Sequence, residues 1–236
     1  MDDKRLPPDP SNGRYIRNLA RRDWLSHMQT AYLKQRVSLR HARTKSHYVR
    51  YFGVTAANVH FVEQETRTLL GPEVVEKAEA LLLERLAAAM KDIDHQTVRV
   101  NALLESEGVT ALPEYVQAPL EVEAKCTSPK ITRYLEAIVK ADRLLTLLEA
   151  LRLSGLVTTN DYDRQVGQPI RRLVSVARAA RQLAVGLRKR ANKAAAAARA
   201  AAAAHPDETE LGGTTSAAVG TPAPDLTMQP EAATVS

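Results

Sequence analysis

Nine residues, "KQRVSLRHA" from Lys34 to Ala42, alternate so as to separate two chemistries. On an extended chain successive side chains point to opposite faces. One face then carries Gln35, Val37, Leu39 and His41; the other carries Lys34, Arg36, Ser38, Arg40 and Ala42. The apolar set suits a core. On the other face, the guanidinium fork of an arginine such as Arg36 or Arg40 can donate one N–H to guanine O6 and a second to N7. Ser38 donates or accepts and reads a base edge less sharply. Lys34 and the nearby Arg43 supply charge suited to phosphate rather than to a base.

A strand needs a partner for its backbone N–H and C=O groups. The other alternating segment, "LEVEAKC" from Leu120 to Cys126, lies far along the chain. The simplest partner is therefore the same strand of a second copy, paired about a two-fold axis. Whether the paired strand is 35–42 or 120–126 stays open at this level. The competing reading is one continuous helix over 29–52, on which Arg36, Arg40 and Arg43 form only a basic helix face. Val37 and Leu39, two apart around Ser38, fit that helix less well.

The elements that must position this segment are mostly helical. "RRDWLSHMQTAYLKQ" reads as a short helix capped by Asp23. Thr44 or Ser46 can cap a helix bearing Tyr48, Val49, Tyr51 and Phe52. Gly53 suits the left-handed residue that ends it, and Thr55 can cap the next one. Exposed amides where that helix begins, at Thr55 and Ala56, can hold a phosphate. Gly71-Pro72 opens a long helix with Val74, Ala78, Leu82, Leu86, Ala89, Ile93, Val100 and Leu104 on helical spacing. It should stop near Gly108, before a loop broken by Pro113 and Pro119. Ser128-Pro129 opens another, with Ile131, Tyr134, Leu135, Ile138, Leu145 and Leu148 on one face, widened by Leu144, Leu147 and Leu151. So broad an apolar arc packs on two neighbours or on a second subunit. Asp161 to Gln168 reads as a turn or short helical piece, and Pro169 restarts a helix that runs into the alanine tract 194–204.

Charge is segregated along the chain. The net value is +6, but from Arg14 to Arg50 there are ten bases against the single acid Asp23. From Glu63 to Glu123 there are thirteen acids and five bases, and from Arg164 to Lys193 nine bases and no acid. Segregated positive charge is the footprint of a polyanion binder. On the last helix Arg171, Arg172, Arg188, Lys189 and Arg190 are candidate phosphate contacts. They can equally be long stems covering apolar surface.

Other chemistries lack their residues. The six histidines form no HExxH motif or Cys/His cluster, and there is no P-loop or dinucleotide fingerprint. The reading assigns no catalytic residue, no metal and no cofactor. A single cysteine, Cys126, cannot form an internal disulfide and fits a reducing cytoplasm. No uninterrupted apolar stretch is long enough to span a bilayer. The expected location is the cytoplasm of a bacterium, associated with the nucleoid.

Strand, helix, "GVT" turn, helix, carried by "RVSLR" and "FGVTAANV", resembles the ribbon-helix-helix DNA-binding fold over residues 33–71. That resemblance implies an intersubunit antiparallel ribbon in the major groove, with Arg36, Ser38 and Arg40 facing base edges. "SLRHARTKSHYVRYFG", "EVEAKCTSPKITRYLEAIVKADRLLTLLEALRLSGLVTTNDYDRQ" and "IRRLVSVARAARQL" resemble the AcaB-type transcriptional regulators of conjugative plasmids and integrating conjugative elements. That likeness spans about 36–187, lies mainly in spacing and residue class, and departs from the pattern in the basic Ala-rich tail. It implies a regulator of transfer genes.

The expected fold class is mainly α with one or two short strands: a ribbon-helix-helix-like dimeric part plus a helical bundle. The expected boundaries are a disordered arm at 1–22, the DNA-binding segment at 23–71, a helical domain at 72–204 with a strand near 120–126, and a disordered tail at 205–236. The expected partners are double-stranded DNA, a second copy of the chain and a protein co-regulator. The alternative function is a helical structural or adaptor protein, an accessory factor in plasmid transfer or partition.

Overall fold

The computed structural model describes residues 12–20, 24 and 30–204. The tail beyond 204 and the helix expected to be capped by Asp23 fall largely outside the described residues. The chain divides into two units, Met1–Ala195 and Ala196–Ser236.

Helix α1, Gly13–Ala20, lies within the span expected to be an unstructured arm. Strand β1, Leu33–Leu39, follows, so the continuous helix over 29–52 does not form. Helix α2 then runs over 42–70. It is built of Ala42–His47, Gly53–His60 and Thr66–Leu70, joined by wider π-type turns at Tyr48–Phe52 and Phe61–Glu65. Gly53 sits at φ −60° and ψ −44°, ordinary right-handed helix. The break expected there is absent, and with it the two separate helices of a ribbon-helix-helix unit. Val49, Phe52, Ala56 and Val59 explain why: all are buried, so the apolar face continues straight through "FGVT".

The bend comes later, at Gly71, with φ 84° and ψ 164°. That region is open to glycine alone. Pro72 starts helix α3, Pro72–Ser106, where its missing N–H costs nothing. Its buried residues are those expected, with Val75 in place of Val74. Strand β2, Leu120–Cys126, pairs antiparallel with β1 in the same chain, Arg36 opposite Glu123 and Leu39 opposite Leu120. The premise of a strand without an intrachain partner is thereby corrected. Sequence distance misled, because α3 runs out and the loop after it brings the chain back.

Helix α4, Pro129–Leu153, is the centre of the molecule. Both of its leucine stripes are buried, against α2, α3 and the sheet, so the broad arc is spent on intrachain neighbours. Helix α5, Thr159–Ala204, holds Pro169 inside rather than starting there. The last apolar stripe, through Val166, Leu173, Val176, Ala180, Ala184 and Leu187, is buried. Part of the acidic middle is engaged within the fold. Lys130 on α4 bridges Glu63 and Glu79 at 2.7 and 3.2 Å, and Lys140 meets Asp94 at 2.9 Å. No described helix is long and apolar enough to cross a membrane.

Candidate nucleic-acid interface

Pairing with β2 builds a two-stranded sheet whose inner face holds Val37, Leu39, Leu120, Val122, Ala124 and Cys126. The outer face carries Lys34, Arg36 and Ser38 from β1 beside Glu121, Glu123 and Lys125 from β2. Glu123 lies 3.4 Å from Arg36 and 3.8 Å from Lys34. These are exposed pairs of the kind worth about 0–1 kcal/mol, which a stronger anion displaces easily. Among the described residues no third strand joins the sheet, so β1 and β2 are both edge strands.

Arg40 is exposed just past the strand, and its main chain is held from the core. Asp142 on α4 accepts the N–H groups of Arg40 and His41 at 2.9 Å each, and the Thr44 hydroxyl donates to it as well. A carboxylate from a distant helix thus caps α2 and fixes the β1–α2 corner. His41 adds a local cap: its Nδ1 accepts the N–H of Arg43 at 3.1 Å. The proton of the neutral ring then sits on Nε2 and donates to the Tyr162 hydroxyl at 3.3 Å, and that hydroxyl donates to Glu149. Burial lowers the His41 pKa, against the opposing pull of the Asp142 carboxylate. Lys45, although 1% exposed, donates to the carbonyl of Ala118 at 2.8 Å and to Asn12 Oδ1 at 3.2 Å, tying α2 to the segment before β2.

Thr55 is buried in the middle of α2 and donates to the Tyr51 carbonyl at 2.8 Å. Its amide lies within a continuous helix, so the expected phosphate site there is withdrawn. Arg43 is exposed on α2 and pairs with Asp163 of α5 at 3.0 Å. Arg188 lies over the Phe61 ring, 4.3 Å from its centroid. The two contacts set α2 and α5 side by side and parallel. Between them, Ala42, Arg43, Ser46, His47, Arg50 and Tyr51 of α2 face Ile170 and Val174 of α5 across an open cleft of about 370 Å³. Arg172, itself exposed, pairs with Asp92 of α3 at 2.7 Å; Arg171, Lys189 and Arg190 are exposed as well.

Sequence reasoning missed Asp142, Lys45 and His47. Asp142 carried a signal, since it falls on the same helical stripe as Leu135, Ile138 and Leu145. A lone carboxylate in an apolar stripe has to be satisfied by something. Lys45 and His47 carried none, being ordinary polar residues beside a helix start.

No family model matches the chain, and no curated protein matches it. Among solved structures, AcaB from uropathogenic E. coli, crystallised with selenomethionine, is similar. It aligns with a TM-score of 0.62 and 23% identity, over 77% of this chain and 93% of that one. The chain has an AcaB-like fold.

Proposed function

We propose that this chain is a DNA-binding regulator of a conjugative plasmid or integrating element, acting as a homodimer in the bacterial cytoplasm. The observation that carries the reading is the edge position of β1, with Lys34, Arg36 and Ser38 on its outer face and Arg40 exposed at its end. A second copy adding its own β1 to that edge makes a four-stranded sheet. The two basic rows then meet at the centre and the glutamates of β2 lie outside. A β-ribbon fits the major groove, and Arg36 and Arg40 are built to read guanine there. Arg171, Lys189 and Arg190, with Arg43, supply phosphate contacts that position without reading. The AcaB-like fold and the residue-class likeness to AcaB-type regulators support the same reading. No reaction is assigned to the chain.

In vitro selection from a random duplex library tests it. The full chain should enrich one palindromic motif, and the R36A/R40A variant should enrich none. Enrichment by both, or by neither, contradicts base reading by β1.

One observation favours the second reading, a helical adaptor in transfer or partition. Glu123 sits against both Arg36 and Lys34, so the face of a single copy is nearly charge-balanced. An adaptor would leave the same library unenriched while remaining folded.

A further inference from the structure

Helix α5 turns one long face to solvent, opposite its buried one. Leu173, Ala180, Ala184 and Leu187 are buried on the inner side. At 3.6 residues per turn, Arg171, Arg178, Lys189 and Lys193 fall on the other side, within about 60° of arc. All four are exposed. Residues on either flank fix the direction: Arg172 reaches Asp92 of α3, and Arg188 covers the Phe61 ring of α2. Among the described residues no acid pairs with any of the four. A solvated surface ordinarily intersperses both signs. Here Arg164 to Lys193 carries nine bases and no acid.

Spacing gives this stripe a length. At 1.5 Å per residue, Arg171 and Lys193 lie about 33 Å apart along the helix, close to the roughly 34 Å of one duplex turn. No proline falls between them. Gln182, exposed on the same side, supplies an amide donor in the gap between Arg178 and Lys189. A protein partner needs an apolar centre to its interface. Val185 is the one large apolar residue of α5 that is exposed. The start of α5 is pinned to the β1–α2 corner, Asp163 to Arg43 at 3.0 Å and Tyr162 to His41 at 3.3 Å. The stripe begins about 12 Å beyond that corner and leads away from it along α2.

We propose that this face of α5 is a track for duplex DNA flanking the bases that β1 would read, gripping backbone phosphates through Arg178 and Lys193 as well as Arg171 and Lys189 over about one helical turn. Resting on the reading of the chain as a DNA binder, the track adds flanking duplex to what β1 would cover. It does not depend on base reading, because phosphates carry no sequence.

Anisotropy titrations of the full chain with an arbitrary duplex of about 40 base pairs, from about 50 to 200 mM salt, are the test. R178Q/K193Q should lower the slope of log affinity against log salt by about two, and weaken binding about tenfold or more at the low-salt end. Its melting temperature should stay within a few degrees of wild type, because neither side chain has a partner in the fold. R85Q/R99Q makes the same charge change on exposed residues of α3 and should leave the slope nearly as it was. An unchanged slope in R178Q/K193Q, or an equal loss in R85Q/R99Q, overturns the track. Polyglutamate binding more tightly than the duplex, and losing that affinity in R178Q/K193Q, makes the face a dock for an acidic protein and overturns it too. If library selection yields no motif while R178Q/K193Q still lowers the slope, the track stands and base reading by β1 falls. If a motif that depends on Arg36 is selected and the slope is unchanged, base reading stands and the track falls. A chain that binds no duplex overturns both.

Discussion

The carboxylate of Asp142 receives the main-chain N–H of His41, 101 residues earlier in the chain, at 2.9 Å. That bond joins the corner between β1 and α2 to the central helix. It is one of three that Asp142 accepts from the corner, with Arg40 N–H and the Thr44 hydroxyl supplying the others. The orientation of Arg40, and of the strand ahead of it, is set from inside the core.

Asp142→Ala should destabilise the protein by about 2–4 kcal/mol, since it strands several buried donors at once. Asp142→Asn keeps one carbonyl acceptor and should cost roughly half as much. Urea unfolding of the variants checks this. A near-neutral Asp142→Ala contradicts the capping role.

His47 makes a pH prediction. Burial lowers its pKa to about 4, below the ordinary 6.5, so the folded protein binds its proton less readily than the unfolded chain does. Stability is full above pH 6.5 and falls as pH drops toward 4, by at most roughly 3 kcal/mol, because the unfolded state takes up the extra proton in that window. His41, also lowered, acts in the same direction. His47→Gln should flatten the fall in melting temperature between pH 7 and pH 5. A wild type whose melting temperature rises on acidification across that range contradicts the assignment.

Arg188 and Lys189 separate two roles that adjacent basic residues can play. Arg188 covers the Phe61 ring, so Arg188→Ala should lower stability by about 0.5–2 kcal/mol. Lys189 is exposed, and Lys189→Ala should leave stability unchanged while weakening binding to all duplexes alike, with the salt slope reduced by about one. Thermal melts and a salt series distinguish them. Equal effects of the two substitutions on both measurements contradict the division.

Glu123→Gln removes the carboxylate that competes for Arg36 and Lys34. Duplex affinity should rise about two- to tenfold at low salt, with little change at high salt, where such pairs are screened. Fluorescence anisotropy measures it. Weaker binding by Glu123→Gln would mean that the glutamate is itself part of the DNA face.

The sequence disclosed the long helices and both strands, because their apolar periods are regular: α3 and α4 bury the stripes that spacing picks out. It misplaced what depends on tertiary context. Gly53 reads as a helix stop, yet Phe52 and Ala56 on either side are both buried, and the continuous apolar face carries the helix through. Pro169 reads as a restart, yet it sits inside α5. The pairing of β1 with β2 spans the whole of α2 and α3, a distance no local pattern encodes. At the candidate interface the basic residues of β1 were legible by alternation alone. Glu123 beside Arg36 was not, since it follows from the register of that same pairing.

Base reading by Arg36 is the part of the proposed function most open to direct test. The most direct measurement is the affinity of wild type and Arg36→Ala for a selected palindromic duplex and for its scrambled counterpart, at one fixed salt concentration. Arg36→Ala should lower affinity for the selected duplex by about 1–3 kcal/mol per base contact and leave the scrambled duplex within about threefold of wild type. An equal loss on both duplexes, or no loss on either, contradicts it.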